Sequence, residues 1–105
     1  MGLQVNVAMT TKDGGTVATG ALVKIGVTFP KIGNNVVFSW EVYRSQAALD
    51  AGKDPIYPTE FLKYLETITF TNQEMIDVTA TLIHTKVKAI IEAFPGVGAD
   101  NTTIV

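Results

Sequence analysis

Two alternating apolar runs constrain this chain more than any other feature. Ala21, Val23, Ile25, Val27 and Phe29 alternate with Leu22, Lys24, Gly26 and Thr28. After residues 30–35 (PKIGNN), Val36, Phe38, Trp40 and Val42 alternate with Val37, Ser39, Glu41 and Tyr43. A period of two sends successive side chains to opposite faces of a strand. Folding the second run back across a turn at 30–35 sets Val27 beside Phe38, Ile25 beside Trp40 and Val23 beside Val42. A one-residue slip would move the whole apolar set to the wrong face, so the pattern fixes one register. Each pair of this kind contributes about 0.2–1 kcal/mol. An antiparallel hairpin over 21–43 is the expected centre of the fold.

The flanking sequence extends the β reading. Leu3, Val5, Val7 and Met9 alternate with polar or small residues, which predicts another half-buried strand. Lys12-Asp13-Gly14-Gly15 is a turn signal, 16–18 a return strand, and Gly20 a bend. Ser45 is placed to cap a short helix over 46–51 that Gly52 closes. Pro55 and Pro58 exclude helix interior and central strand, so 54–58 reads as an extended loop or contact arm. Residues 61–70 are ambiguous. Leu62, Tyr64, Ile68 and Phe70 fit a strand face, while Phe61, Leu62 and Leu65 fit a helical turn. The β-rich stretch 67–70 favours a strand.

A single helix is expected over 71–94. Thr71-Asn72-Gln73-Glu74 forms a capping box, and Pro95-Gly96 ends the pattern. At 100° per residue, Ile76, Ala80, Ile83, Val87, Ile90 and Phe94 make one stripe. Asp77, Thr81, His84, Thr85, Lys88 and Glu92 lie opposite. Met75, Val78, Leu82, Ala89 and Ala93 widen the apolar zone to an arc of about 220°, where a helix on one core needs little over ~100°. Surplus apolar surface of this kind predicts a partner chain. Residues 97–105 are expected to form a loop and a short strand. The predicted fold is α+β in one domain spanning 1–105: a mostly antiparallel sheet of about four to five strands in the half before residue 71, with the 71–94 helix across one face.

Composition narrows the function. Charged residues are 17% of 105, against ~25% in typical soluble domains. Eight Lys and Arg face ten Asp and Glu with no basic cluster, which argues against a nucleic-acid partner. With no cysteine there are no disulfides or thiolate sites. No apolar run reaches the ~18 residues of a membrane span, and no signal peptide is visible.

Catalytic machinery is sparse. His84 is the single histidine, placed at the edge of the polar helix face, and one histidine without a second ligand makes a poor metal or acid–base site. Glu60, Glu66, Asp50 and Asp54 show no spacing that would fix a carboxylate pair. Neither Ser39 nor Ser45 sits in a nucleophile pattern. The expectation is no enzyme, no cofactor and no metal. Tyr57, in the proline loop, is the better contact candidate among the aromatics.

The order of a strand at 36–43, the stretch YRSQAALDAGK at 43–53, a proline-bearing extension, and a late helix ending Ile90-Ile91-Glu92 resembles small virion structural proteins of tailed phages. Those from phages of gut Bacteroidetes are the most similar in style. The resemblance spans roughly residues 22 to 94. It implies a repeated, non-enzymatic particle subunit (tail, collar ring, baseplate, or head fibre or decoration), located in the virion and partnered by its own copies and other virion proteins. Met75, Val78, Leu82, Ala89, Ala93, Ile56 and Tyr57 are the expected interface residues. The alternative is a small monomeric module, cytoplasmic and non-secreted, that binds a ligand or peptide through Leu22, Val37 and Tyr43 or through the Tyr57 loop.

Overall fold

The computed structural model describes residues 2–61 and 64–105, with residues 27–32 described by their backbone alone. Among these residues the strands are β1 (Leu3–Val5), β2 (Met9–Thr10), β3 (Thr16–Val17), β4 (Ala21–Ile32), β5 (Asn35–Tyr43), β6 (Leu65–Thr69) and β7 (Thr102–Ile104). The helices are α1 (Gln46–Asp50), α2 (Asn72–Ile76) and α3 (Ala80–Glu92). The fold is mixed α and β. Five strands form one antiparallel sheet in the order β6-β5-β4-β1-β7, and β2 and β3 form a separate small hairpin.

The central hairpin has the expected register, with Val23 opposite Val42, Ile25 opposite Trp40 and Val27 opposite Phe38. Its turn is tighter than 30–35. β4 continues to Ile32, which pairs with Asn35, and a register shift between Thr28 and Ile32 absorbs the extra length. Gly33 has φ 58°, the conformation that a two-residue hairpin loop needs at its first position. The side chains of Val27 and Phe29, and all of Leu62, lie outside the described residues.

The predicted first strand divides in two. Leu3–Val5 joins the large sheet, while Met9–Thr10 turns through Lys12–Gly15 to pair with Thr16–Val17. Asp13 stabilises that turn, accepting from the Thr11 hydroxyl and from the Gly15 amide at 3.1 Å. Those bonds hold its carboxyl below the usual carboxylate range. Ser45 caps α1 as expected, its Oγ accepting from the Ala48 amide at 3.0 Å. Among the described residues of the 61–70 stretch, Leu65–Thr69 forms a strand.

The expected 71–94 helix is two helices. Thr71 does nucleate α2 through a complete capping box, with Glu74 N–H to Thr71 Oγ1 at 3.1 Å and Thr71 N–H to Glu74 Oε1 at 2.8 Å. That helix stops at Ile76, and Asp77 takes φ −133° and ψ 60°. Thr79 then caps α3, its Oγ1 accepting from Leu82 N–H at 3.1 Å. β-branched Val78 and Thr79 have weak helix preference, and the Thr79 hydroxyl rewards a new start over continuation. Lys86 ties the two helices together at 3.1 Å from Glu74 and lies 5.2 Å from the centre of the Phe70 ring.

The split also re-aims the apolar stripe. The buried residues of α3 are His84, Val87 and Ile91, a face turned about 50° from the predicted one at 100° per residue. Ile83, Ile90 and Phe94 remain partly buried beside it, while Ile76 is 78% exposed. α2 and α3 connect β6 at one sheet edge to β7 at the other, so they cross one face of the sheet. Leu3, Val23, Phe38, Val42 and Ile68 on that face share a core with Phe61, Phe70, Val87 and Ile91. The opposite face carries exposed Lys24, Glu41, Thr67 and Thr103.

Pro95-Gly96 was the expected helix stop, but Gly96 is needed for packing. A Cβ placed there would lie 2.9 Å from Glu60 Cβ and Cγ and 3.1 Å from its Cα. Glu60 cannot withdraw freely, because its carboxylate accepts the Thr10 amide at 2.9 and 3.0 Å. Gly96→Ala is therefore expected to cost about 1–3 kcal/mol through overpacking, read as a lower urea midpoint at unchanged slope. A neutral result would mean that the 94–98 turn yields easily.

Candidate functional site

The proline segment is held down along its length and is not an arm. Ile56 N–H donates to Val42 C=O at 2.7 Å, Lys12 N–H to Tyr57 C=O at 3.1 Å, and Thr59 N–H to Thr10 C=O at 2.8 Å. Isolated bridges pair Val42 with Ile56 and Thr11 with Pro58. The segment lies along the half of β5 that β6 leaves uncovered, since β6 pairs only with Asn35–Ser39. Beyond that point Trp40 N–H donates to Tyr64 C=O at 3.0 Å.

Between these two attachments lies a cleft of about 370 Å³ walled by β5 (Ser39 to Val42), Pro55, Ile56, Tyr57 and Tyr64. A second, of about 200 Å³, shares Pro55, Ile56 and Tyr57 and is completed by Thr11, Lys12, Asp13 and Arg44. Tyr57 borders both and is 54% exposed. Its ring meets Tyr64 edge-on, 5.7 Å between centroids at 79°. Tyr64 donates its hydroxyl to Pro58 C=O at 3.3 Å. Burial pushes the Tyr64 phenol above its ordinary pKa, and the neighbouring Tyr57 adds to the effect.

The expected interface residues do not form one surface. Ile56 and Tyr57 line the clefts, whose walls include none of the helical candidates. Met75 and Leu82 are partly buried against the core, as is Ile56. Val78 is 40% exposed beside Ile76, and Ala89 and Ala93 are exposed on the outer side of α3. Of the residues proposed for the alternative module, Leu22 and Tyr43 are buried, which leaves Val37 partly accessible on that sheet face.

His84 is not on the solvated side of its helix. It is 7% exposed, with Nδ1 2.7 Å from Ala80 C=O. A carbonyl can only accept, so Nδ1 is the donor in this contact. Nε2 is buried without a hydrogen-bond partner among the described residues. His84→Leu removes that atom and is expected to leave stability unchanged or raise it by about 1 kcal/mol. A loss above ~1 kcal/mol in chemical denaturation would mean that Nε2 does have a partner. Among the described residues no three His, Asp or Glu side chains approach closely enough to share a metal ion.

Sequence reasoning missed one polar network altogether. Lys88 and Glu92 pair at one-turn spacing on α3 and together grip β7. Lys88 Nζ donates to Thr102 C=O at 2.6 Å and to Thr102 Oγ1 at 3.1 Å. Glu92 Oε2 accepts from the Thr102 amide at 3.0 Å and from its hydroxyl at 2.7 Å. The i, i+4 spacing was visible in the sequence, but its target 10 to 14 residues away was not. The network satisfies the outward backbone groups of Thr102, so this sheet edge is partly closed to pairing.

Comparison with family models, curated proteins and solved structures finds no match to this chain. Among the described residues, no helix is long and apolar enough to cross a membrane.

Proposed function

We propose that this chain is a non-enzymatic assembly subunit that works by packing against copies of itself. The observation that carries this reading is the pair Ile76 and Val78 at the α2–α3 break, 78% and 40% exposed in a chain whose charged residues are only 17%. Fully burying an aliphatic side chain of this size is worth about 1.5–3 kcal/mol. A neighbour that covers the break gains that free energy without disturbing the core. The sequence resemblance to tailed-phage virion proteins supplies the kind of assembly: a repeated particle part located in the virion, with other virion proteins as further partners.

Sedimentation over a wide concentration range tests this reading. Association that strengthens with concentration, and weakens in Ile76→Glu while the fold stays intact, is the expected result. A strict monomer at the highest concentrations would overturn it.

The Tyr57 clefts favour a second reading, a small binding module. Tyr57→Ala would then abolish any ligand-induced rise in melting temperature, since such a rise follows from selective binding to the folded state. A ligand that stabilises the wild type and the variant equally would rule out this site.

A further inference from the structure

The geometry points to β6 as the edge through which two copies join, antiparallel about a two-fold axis at Thr67, into one continuous ten-stranded sheet. This inference rests on the assembly reading above and adds a second contact surface to the exposed break at Ile76 and Val78.

The two edges of the sheet are treated differently. At β7, the backbone groups of Thr102 are engaged by Lys88 and Glu92. At β6, no other strand among the described residues pairs with the outer side. The Phe70 amide donates to Asn34 C=O at 2.9 Å, so Asn35 and Thr69 are a non-hydrogen-bonded pair. It follows that Glu66 and Ile68 direct their amides and carbonyls toward β5, while Leu65, Thr67 and Thr69 direct theirs away from the sheet. Among the described residues, only the Thr67 amide is engaged, by the carboxylate of the adjacent Glu66 at 3.1 Å. That bond is local and exposed, and a partner carbonyl can replace it.

β6 carries only part of the usual protection of an edge, the single charge of Glu66. Its sequence, LETIT, has no lysine, no proline and no bulge. Leu65 is 56% exposed, and Thr67 and Thr69 are exposed on the same sheet face.

The strand is complementary to its own reverse. With Thr67 opposite Thr67 of a second copy, Leu65 falls opposite Thr69 and Glu66 opposite Ile68. Each outward-facing residue then meets an outward-facing residue, and each such pair can exchange two N–H···O bonds. No two carboxylates face each other, so the like-charge penalty that disfavours many strand pairings is absent. Threonine beside threonine and leucine beside threonine are acceptable cross-strand neighbours. A shift of two residues in either direction loses one of the outward pairs.

Thr67→Pro tests this inference directly. Proline removes the outward N–H and leaves the ladder to β5 intact, because the Thr67 amide does not bond to β5. Thr67→Lys is the second variant. It sets two like charges against each other at the axis and retains the amide. Sedimentation equilibrium and amide exchange on the full chain are the readouts.

The expected result is a self-associating wild type in which the Leu65, Thr67 and Thr69 amides become protected as concentration rises. Both variants should remain folded, with dissociation constants raised about tenfold or more, and should lose that protection. If the wild type associates but both folded variants associate equally well, the β6 edge is wrong and the assembly reading stands. If the wild type is monomeric at all concentrations, both fall. Should Thr67→Pro fail to fold, Thr67→Lys decides alone.

Discussion

Phe38→Ala is expected to lower the free energy of unfolding by about 3–5 kcal/mol. Phe38 is 1% exposed and lies in the middle of β5, with Val27 opposite it on β4 and Glu66 opposite it on β6. Its ring meets Phe70 edge-on at 6.1 Å, joining the hairpin to the residue that leads into the α2 cap. Truncation removes transfer free energy and leaves a cavity between two strands and the helical layer, where nothing can collapse without breaking the ladder. Small domains have only about 5–15 kcal/mol in total, so the variant is expected near its unfolding threshold. Urea denaturation should show the midpoint falling with the slope preserved. Val37→Ala, on the opposite face and partly exposed, is the control and should cost about 1 kcal/mol or less. If Phe38→Ala and Val37→Ala were equally mild, the assignment of the core to this face of the sheet would be wrong.

The hairpin was legible because its signal is local and redundant. Both runs, 21–29 and 36–43, repeat the same period, so the register could be read without knowing what lies on the face. The small turn at Lys12–Gly15 and the caps at Ser45 and Thr71 were legible for a similar reason: each is specified by a few adjacent residues. The α2–α3 break was not. Thr79 is a good cap, but Ile76, Ala80, Ile83 and Val87 kept helical period across it, and periodicity alone does not register a stop. The rotation of α3 depends on where β7 lies, because Lys88 and Glu92 must reach Thr102. That is tertiary information, and the placement of His84 changed with it. The proline segment was rightly excluded from strand interiors. Its attachment to β5 could not be foreseen, since nothing in 55–58 states that β6 is too short to cover its neighbour.

The Lys88–Glu92–Thr102 network should carry the second large effect, and it should depend on pH. Glu92 is partly buried, its side chain 13% exposed. That burial pushes its carboxyl up, but hydrogen bonds from Lys88, from the hydroxyl and amide of Thr102, and from the Asp100 amide outweigh it and hold the pKa at about 2. A carboxylate whose folded pKa is depressed adds stability above its unfolded pKa of 4.5, and that stability is lost as pH falls toward the folded value. The window therefore runs from about pH 5 down to about pH 2, and the loss, discounted for solvent screening of a partly exposed ion pair, is about 1–2 kcal/mol. At neutral pH, Glu92→Ala leaves both Thr102 donors without their acceptor and the Lys88 ammonium without its counter-ion, and is expected to cost about 2–3 kcal/mol. Glu92→Gln keeps an acceptor oxygen and should cost less. Because Gln does not titrate, the difference between wild type and Glu92→Gln should shrink as pH falls from 5 to 2, even though Asp13 and Glu74, whose carboxyls are also held low, titrate in both proteins. Amide exchange should show the same network structurally, with β7 losing protection in Glu92→Ala while the β4–β5 ladder keeps its own. A constant difference between the two proteins over that pH range would mean that Glu92 is solvated rather than gripping β7, and that the β7 edge is as open to a second chain as β6.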